Sequence, residues 1–107
     1  YFPGLEYVDV LAADVYKRDY RQSHHDELKA LAGGKLIALG EVGQLPDPEA
    51  YRNQPDWSWF MVWGYFINSQ QSGDLDSATA VRRIYDDPRT LTLDKIDFSG
   101  GTYKLKK

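Results

Sequence analysis

The sequence contains no cysteine, which excludes a disulfide framework, a thiolate metal site and a cysteine nucleophile. It also has no apolar run approaching the roughly 20 residues of a membrane span. No signal-like segment follows Tyr1, and the chain reads as one processed or cut from a longer one. An excess of positive charge is missing as well: 13 Lys and Arg stand against 16 Asp and Glu, a net charge of −3. That argues against a nucleic-acid binder, which needs a basic surface to meet phosphates. Sequence repeats and low-complexity tracts are absent too. What remains is a 107-residue chain, enough for one domain, with 42% apolar and 27% charged residues. Those are ordinary values for a folded chain. Aromatic residues are the abundant class, at 3 Trp, 8 Tyr and 4 Phe. Such a load fits a packed core, a sugar-stacking site, or both.

Three short, nearly continuous apolar runs, 7–16, 35–42 and 59–63, read as strands of a parallel sheet covered on both faces. Helical stretches lie between and after them. The first has Ser23 as N-cap, Asp26 and Glu27 in its first turn, Leu28 and Leu31 as its apolar stripe, and Gly33-Gly34 as its stop. The second is capped by Asp47, begins with Pro48 and ends before Pro55. The third starts near Asp76 or Ser77, carries Ala78, Val81, Ile84 and Tyr85 at helical spacing, and closes at Pro88. A loop is expected over 69–76, a short irregular or single-turn segment over 90–96, and a polar tail over 99–107. Alternating strands and helices imply βαβ units.

Alternate residues along a strand share a face. This groups Val8, Val10, Ala12, Asp14 and Tyr16, then Ile37, Leu39 and Glu41, then Trp59, Met61 and Trp63. Each series is apolar for its length and turns polar or aromatic at the carboxyl end, where parallel α/β folds place their sites. Glu41, flanked by Gly40 and Gly43, carries most weight. A capping or salt-bridging carboxylate accounts for it as well as a catalytic one does. Asp14 and Tyr16 equally fit an Asx turn and a core tyrosine with a wet hydroxyl, and Trp63 fits a lid on the core.

Other constellations carry less. His24 and His25 are adjacent on a helix, so their rings diverge, and both are expected on its solvated face. Gly73-Asp74-Leu75-Asp76 lacks the further oxygen ligands of a calcium loop. No glycine series forms a phosphate cradle. Arg82, Arg83, Lys104, Lys106 and Lys107 read as solvated charge.

The words Tyr7-Val8-Asp9-Val10, Asp14-Val15-Tyr16, Leu31-Ala32-Gly33-Gly34-Lys35, Ala38-Leu39-Gly40-Glu41-Val42-Gly43, Pro46-Asp47-Pro48-Glu49 and the run 57–63 occur in this order. They resemble glycoside hydrolase family 26, chiefly endo-β-1,4-mannanases. The Gly-Glu-Val-Gly segment followed by Trp-Phe-Met-Val-Trp is the specific pair, and the likeness extends over about 1–96. It implies an α/β fold, a partial (β/α)8 TIM barrel of about three βα units with parallel strands, corresponding to strands six to eight. Residues 1–98 would then be the carboxyl-terminal portion of a catalytic domain and 99–107 its tail. A full barrel takes roughly 250 residues.

By this resemblance Glu41 is the catalytic nucleophile, Asp14 and Tyr16 meet the sugar at the cleavage point, and Trp63 lies under the reacting mannosyl unit. The family's acid/base glutamate belongs to strand four, in a His-Glu pair with no match here. The expected activity is hydrolysis of β-mannan or a related polysaccharide by the parent enzyme, with the isolated chain nearly inert. The resemblance implies no cofactor, no metal, no nucleic acid, no membrane partner, and a secreted or cell-surface setting. A different class stays open: a non-catalytic carbohydrate-binding or assembly fragment. Faces shaped for a closed barrel would expose Val10, Ile37 and Met61, to be covered by the rest of the barrel or by a homo-oligomer.

Overall fold

The computed structural model describes residues 2–67 and 78–106. Three parallel strands, β1 (Val10–Val15), β2 (Leu36–Val42) and β3 (Trp57–Val62), form one sheet in the order β1-β2-β3. Helix α1 (Gln22–Ala32) connects β1 to β2, and α2 (Pro48–Asn53) connects β2 to β3. A single turn, α3 (Gly64–Ile67), follows β3, and α4 (Ala78–Tyr85) comes after it. A small antiparallel pair, β4 (Ile96–Asp97) and β5 (Lys104–Leu105), ends the described chain. Part of the polar 99–107 segment thus folds back onto Ile96 and Asp97. The loop expected over 69–76, the start of the helix at Asp76 or Ser77 and the Gly73–Asp76 stretch lie outside the described residues.

The helix ends follow their residue types. Asp47 Oδ1 accepts the Glu49 backbone N–H at 3.0 Å, with Pro48 opening α2. Gly33 ends α1 at φ 57°, a left-handed cap that glycine adopts without steric cost. The start of α1 departs from expectation. Arg21 occupies the N-cap position without a side-chain capping bond, and Ser23 lies inside the helix.

One face of the sheet is covered. Leu11, Val15, Ile37, Leu39, Val42, Leu45 and Ile84 are buried there, with Tyr20, Tyr51, Phe60, Val62 and Tyr85 packed around them. Ile84 alone, fully enclosed, contributes roughly 1.5–3 kcal/mol by leaving water. The opposite face carries Ala12, Asp14 and Trp59 in exposed positions and Met61 half-buried. Parallel sheets ordinarily have both faces covered; among the described residues only one face is packed over, and on the other only the small Ala38, beside Ala12, is fully buried.

Two expectations about which residues share a face are corrected. Ile37 is 1% exposed, on the covered face with Leu11 and not on the bare one. Glu41 does not share that face with Ile37 and Leu39. The register runs Leu11 to Ile37 and Ala13 to Leu39, then shifts, so that Asp14 stands beside Glu41 and Val15 beside Val42. Between Leu39 and Glu41, β2 advances two residues while β1 advances one. A one-residue bulge of this kind turns the following side chain to the other face. Gly40 is the extra residue, and it re-aims Glu41 onto the face of Asp14.

His25 is the third correction. Expected in solvent, it is 2% exposed. Its Nδ1 lies 2.8 Å from Asp26 Oδ1, its Nε2 3.2 Å from Asp56 Oδ2, and its ring meets Trp57 edge-on at 5.2 Å. Leu31, expected in the apolar stripe, is exposed, while Leu28 packs against Leu11, Ala32 and Ile37.

Candidate active site

The carboxyl ends of the three strands bring Asp14, Tyr16, Glu41 and Trp63 to one edge of the bare face. Asp14 and Glu41 are register partners on adjacent strands. The Tyr16 hydroxyl, one residue past β1, donates to Glu41 Oε2 at 2.9 Å. Among the described residues, none of the ion pairs engages Glu41, so the salt-bridged alternative has no support in the geometry. The hydrogen bond to Glu41 holds the Tyr16 pKa above the ordinary phenol value, helped by partial desolvation and by the negative charges of Glu41 and Asp14. A hydrogen bond with the Trp63 side chain acts in the opposite direction on the same phenol. The other three side chains named from the sequence therefore converge on Tyr16.

Two glycines make the convergence sterically possible. A Cβ on Gly40 would lie 3.0 Å from the Ala12 Cβ and 3.1 Å from Asp14 Oδ1. One on Gly43 would lie 2.7 Å from Tyr16 Cδ1. The Tyr16 ring also meets Phe66 edge-on at 6.0 Å, and Phe66 meets Tyr65 at 5.2 Å. Phe66 and Tyr20, which supports the same loop, were not singled out in the sequence. The aromatic pair directly after Trp63-Gly64 was the available sign of the first. Nothing periodic marked the second.

The site is open to solvent: Trp63 is 48% and Tyr16 40% exposed. A carboxylate that accepts a phenolic hydrogen bond, beside a second carboxylate and a large flat ring, can receive a sugar. Hydroxyls bond the acids and the ring takes the C–H face. Among the described residues no three His, Cys, Asp or Glu side chains group closely enough to hold a metal ion. A cavity of about 400 Å³ lies elsewhere, lined in part by Tyr51, Trp57, Phe60, Tyr85 and Leu91, and shares no residue with this site.

A family model, Glycosyl hydrolase family 26, matches residues 1–95. The chain belongs to glycosyl hydrolase family 26. A curated relative, mannan endo-1,4-beta-mannosidase of Thermothelomyces thermophilus, is 35% identical over 101 residues, which is 90% of this chain and 20% of the relative. Mannan endo-1,4-beta-mannosidase B of Piromyces sp. is 28% identical over 65 residues, 58% of this chain and 10% of that protein. Among solved structures, GH26A from Muricauda sp. MAR_2010_75 superposes with a TM-score of 0.78 at 49% identity, covering 91% of this chain and 30% of that one. The GH26-CBM35 β-(1,4)-mannanase of Podospora anserina gives 0.72 at 37% identity, covering 92% and 22%. The chain thus spans about a fifth of its first curated relative, and its three parallel strands are part of the (β/α)8 barrel of this hydrolase family.

Proposed function

We propose that this chain carries the nucleophile of a retaining endo-β-1,4-mannanase, with Glu41 attacking the anomeric carbon of a mannosyl unit. The supporting observation is the 2.9 Å hydrogen bond from Tyr16 to Glu41, with Asp14 beside it in register. The nucleophilic form of the group is the carboxylate, and the phenolic hydrogen bond fixes one of its oxygens and so orients the other. In the first displacement a Glu41 oxygen bonds to the anomeric carbon as the glycosidic bond breaks, and a separate acid protonates the leaving oxygen. In the second, water gives its proton to that same group and displaces Glu41, with net retention. Asp14 hydrogen-bonds sugar hydroxyls, and Trp63 stacks beneath the ring. The substrate is mannan or galactomannan, met outside the cell or at its surface.

By the family resemblance the acid/base glutamate comes from strand four, outside the 107 residues. General acid–base help is worth about 10²–10⁴-fold in rate, so the chain alone turns over little polysaccharide. Release of reducing ends from galactomannan tests both statements. In the complete enzyme Glu41→Gln lowers the rate by at least about 10³-fold, and wild-type product forms with the β configuration. Near wild-type rates in Glu41→Gln overturn the role of Glu41. Rapid release by the chain alone overturns its dependence on the missing acid.

The bare sheet face favours a second, compatible reading, that of an assembly fragment. Leu36 is 59% and Trp59 47% exposed, a surface suited to burial against further barrel strands or a second copy. Sedimentation at rising concentration separates these, because only self-association raises the mass of the chain on its own.

A further inference from the structure

The loop that presents Tyr16 holds two consecutive non-glycine residues, Lys17 and Arg18, in the left-handed region, each at φ 56°. Such conformations persist only where the surroundings over-determine them. The surroundings here are three consecutive residues that begin two positions after Glu41. The Gly43 N–H donates to the Val15 carbonyl at 3.1 Å, immediately before Tyr16. The Tyr20 hydroxyl donates to the Gln44 carbonyl at 2.5 Å, and the Arg18 guanidinium to the Leu45 carbonyl at 3.4 Å. Tyr20 is fixed from its other side too. Its carbonyl accepts from Nε2 of the buried Gln54 at 2.8 Å, and Gln54 Oε1 accepts the Trp57 indole N–H at 2.9 Å. The Tyr20 ring packs against the core around Val15, Leu39 and Leu45.

We propose that Tyr20 is a positioning residue for this site: by fastening the loop after β1 to the segment after Glu41, it holds the Tyr16 phenol where it donates to the carboxylate. Its relevance to catalysis rests on the reading of Glu41 as the reacting group. The geometric link between Tyr20 and Tyr16 does not. Without the Tyr20 hydroxyl, the left-handed pair relaxes toward ordinary backbone angles and carries Tyr16 with it. The Val15 bond still holds the near end of the loop, so Tyr16 swings away from Glu41 and the sheet itself is spared.

Tyr20→Phe keeps the ring and deletes the tie. In this chain, carbon-13 NMR of the tyrosine rings follows the Tyr16 phenol through its titration. The raised pKa, which the bond to Glu41 chiefly produces, falls toward the ordinary tyrosine range in Tyr20→Phe. Arg18→Ala, a change at an exposed side chain that leaves the core intact, gives a smaller fall in the same direction. In the complete enzyme, Tyr20→Phe lowers kcat about tenfold with KM little changed, and the Tyr16→Phe, Tyr20→Phe double variant is no slower than Tyr16→Phe alone. Unchanged titration in both single variants overturns the proposal, and so does a double variant showing the product of the two single losses. If the titration responds while Glu41→Gln stays active, the positioning stands and the hydrolase reading fails.

Discussion

Gly40 leaves Asp14 the room it needs: a Cβ at position 40 would sit 3.1 Å from the Asp14 carboxylate and 3.0 Å from the Ala12 methyl. The Ala12 Cβ is anchored to a strand backbone, so it cannot swing aside as the end of a long side chain could. Gly40→Ala therefore strains the bulge itself. The expected cost is about 1–3 kcal/mol, the range for an extra methyl forced into packed surroundings, and it shows as a lower urea midpoint. Glu41 and Asp14 move apart in the same step, so on the proposed reading of Glu41 as nucleophile the complete enzyme loses more than tenfold in rate on mannan. A variant with wild-type stability and rate would mean that the bulge tolerates a side chain.

Gly43→Ala has a different profile. The added methyl would meet the Tyr16 ring at 2.7 Å and Phe66 at 3.5 Å. Tyr16 is 40% exposed and is not locked in the core, so it yields by rotating away. Stability changes by less than about 1 kcal/mol, while the bond to Glu41 is lost. The Tyr16 phenol then titrates closer to the ordinary value, because its largest raising influence is gone. Equal damage to stability and to the Tyr16–Glu41 bond would contradict this separation.

Much of this arrangement was legible from the residue pattern. Asp47-Pro48 predicted a helix start, Gly33 a helix stop, and the apolar runs three strands, because each depends on neighbours in the chain. Strand ends group Asp14, Tyr16, Glu41 and Trp63, and the structure brings these four side chains to one edge of the sheet. Strict alternation places Glu41 with Ile37 and Leu39, on the opposite face from the one it occupies. Only the partner strand reveals that β2 gains a residue at Gly40. His25 was misplaced for a related reason. An imidazole on an otherwise polar helix reads as solvated, and the groups that make its burial tolerable include Asp56 and Trp57, some thirty residues along. Both errors concern contacts between segments, which spacing within one segment does not encode.

Acid should destabilise the fold in a defined window. Arg89, through its side chain and backbone N–H, holds the Asp87 carboxyl down to about 2. The His25 side chain and Gln22 lower Asp26, and Lys29 lowers Asp56. Each of these groups has a folded pKa below its unfolded value of about 3.9. The stability they contribute is complete above that value and disappears as pH falls through the folded pKa values. Melting temperature is therefore flat with respect to these groups above about pH 5 and declines between about pH 4 and about pH 2. Asp87→Asn removes part of that slope, and salt at about 1 M weakens it by screening the exposed partners. Identical acid slopes for Asp87→Asn and the wild type in thermal melts would rule out this assignment.

His25 supplies the sharpest test of the covered face. It joins α1 to the turn that begins β3, with one nitrogen near Asp26, the other near Asp56, and its ring edge-on to Trp57. Two contributions are separable. His25→Ala removes volume and polar contacts together, and costs about 2–5 kcal/mol as large-to-small changes in an interior do. His25→Phe keeps the ring against Trp57 and loses the contacts with Asp26, Asp56 and Gln22. Asp56 retains Lys29 at 2.7 Å, so this change costs about 1–2 kcal/mol. The neighbouring His24→Ala, at a partly exposed position, stays within about 0.5 kcal/mol. Chemical denaturation should therefore find His25→Ala the least stable, His25→Phe intermediate, and His24→Ala beside the wild type. If His25→Ala is as harmless as His24→Ala, the imidazole is not holding α1 to β3, and packing of Leu28 and Ala32 alone secures the helix.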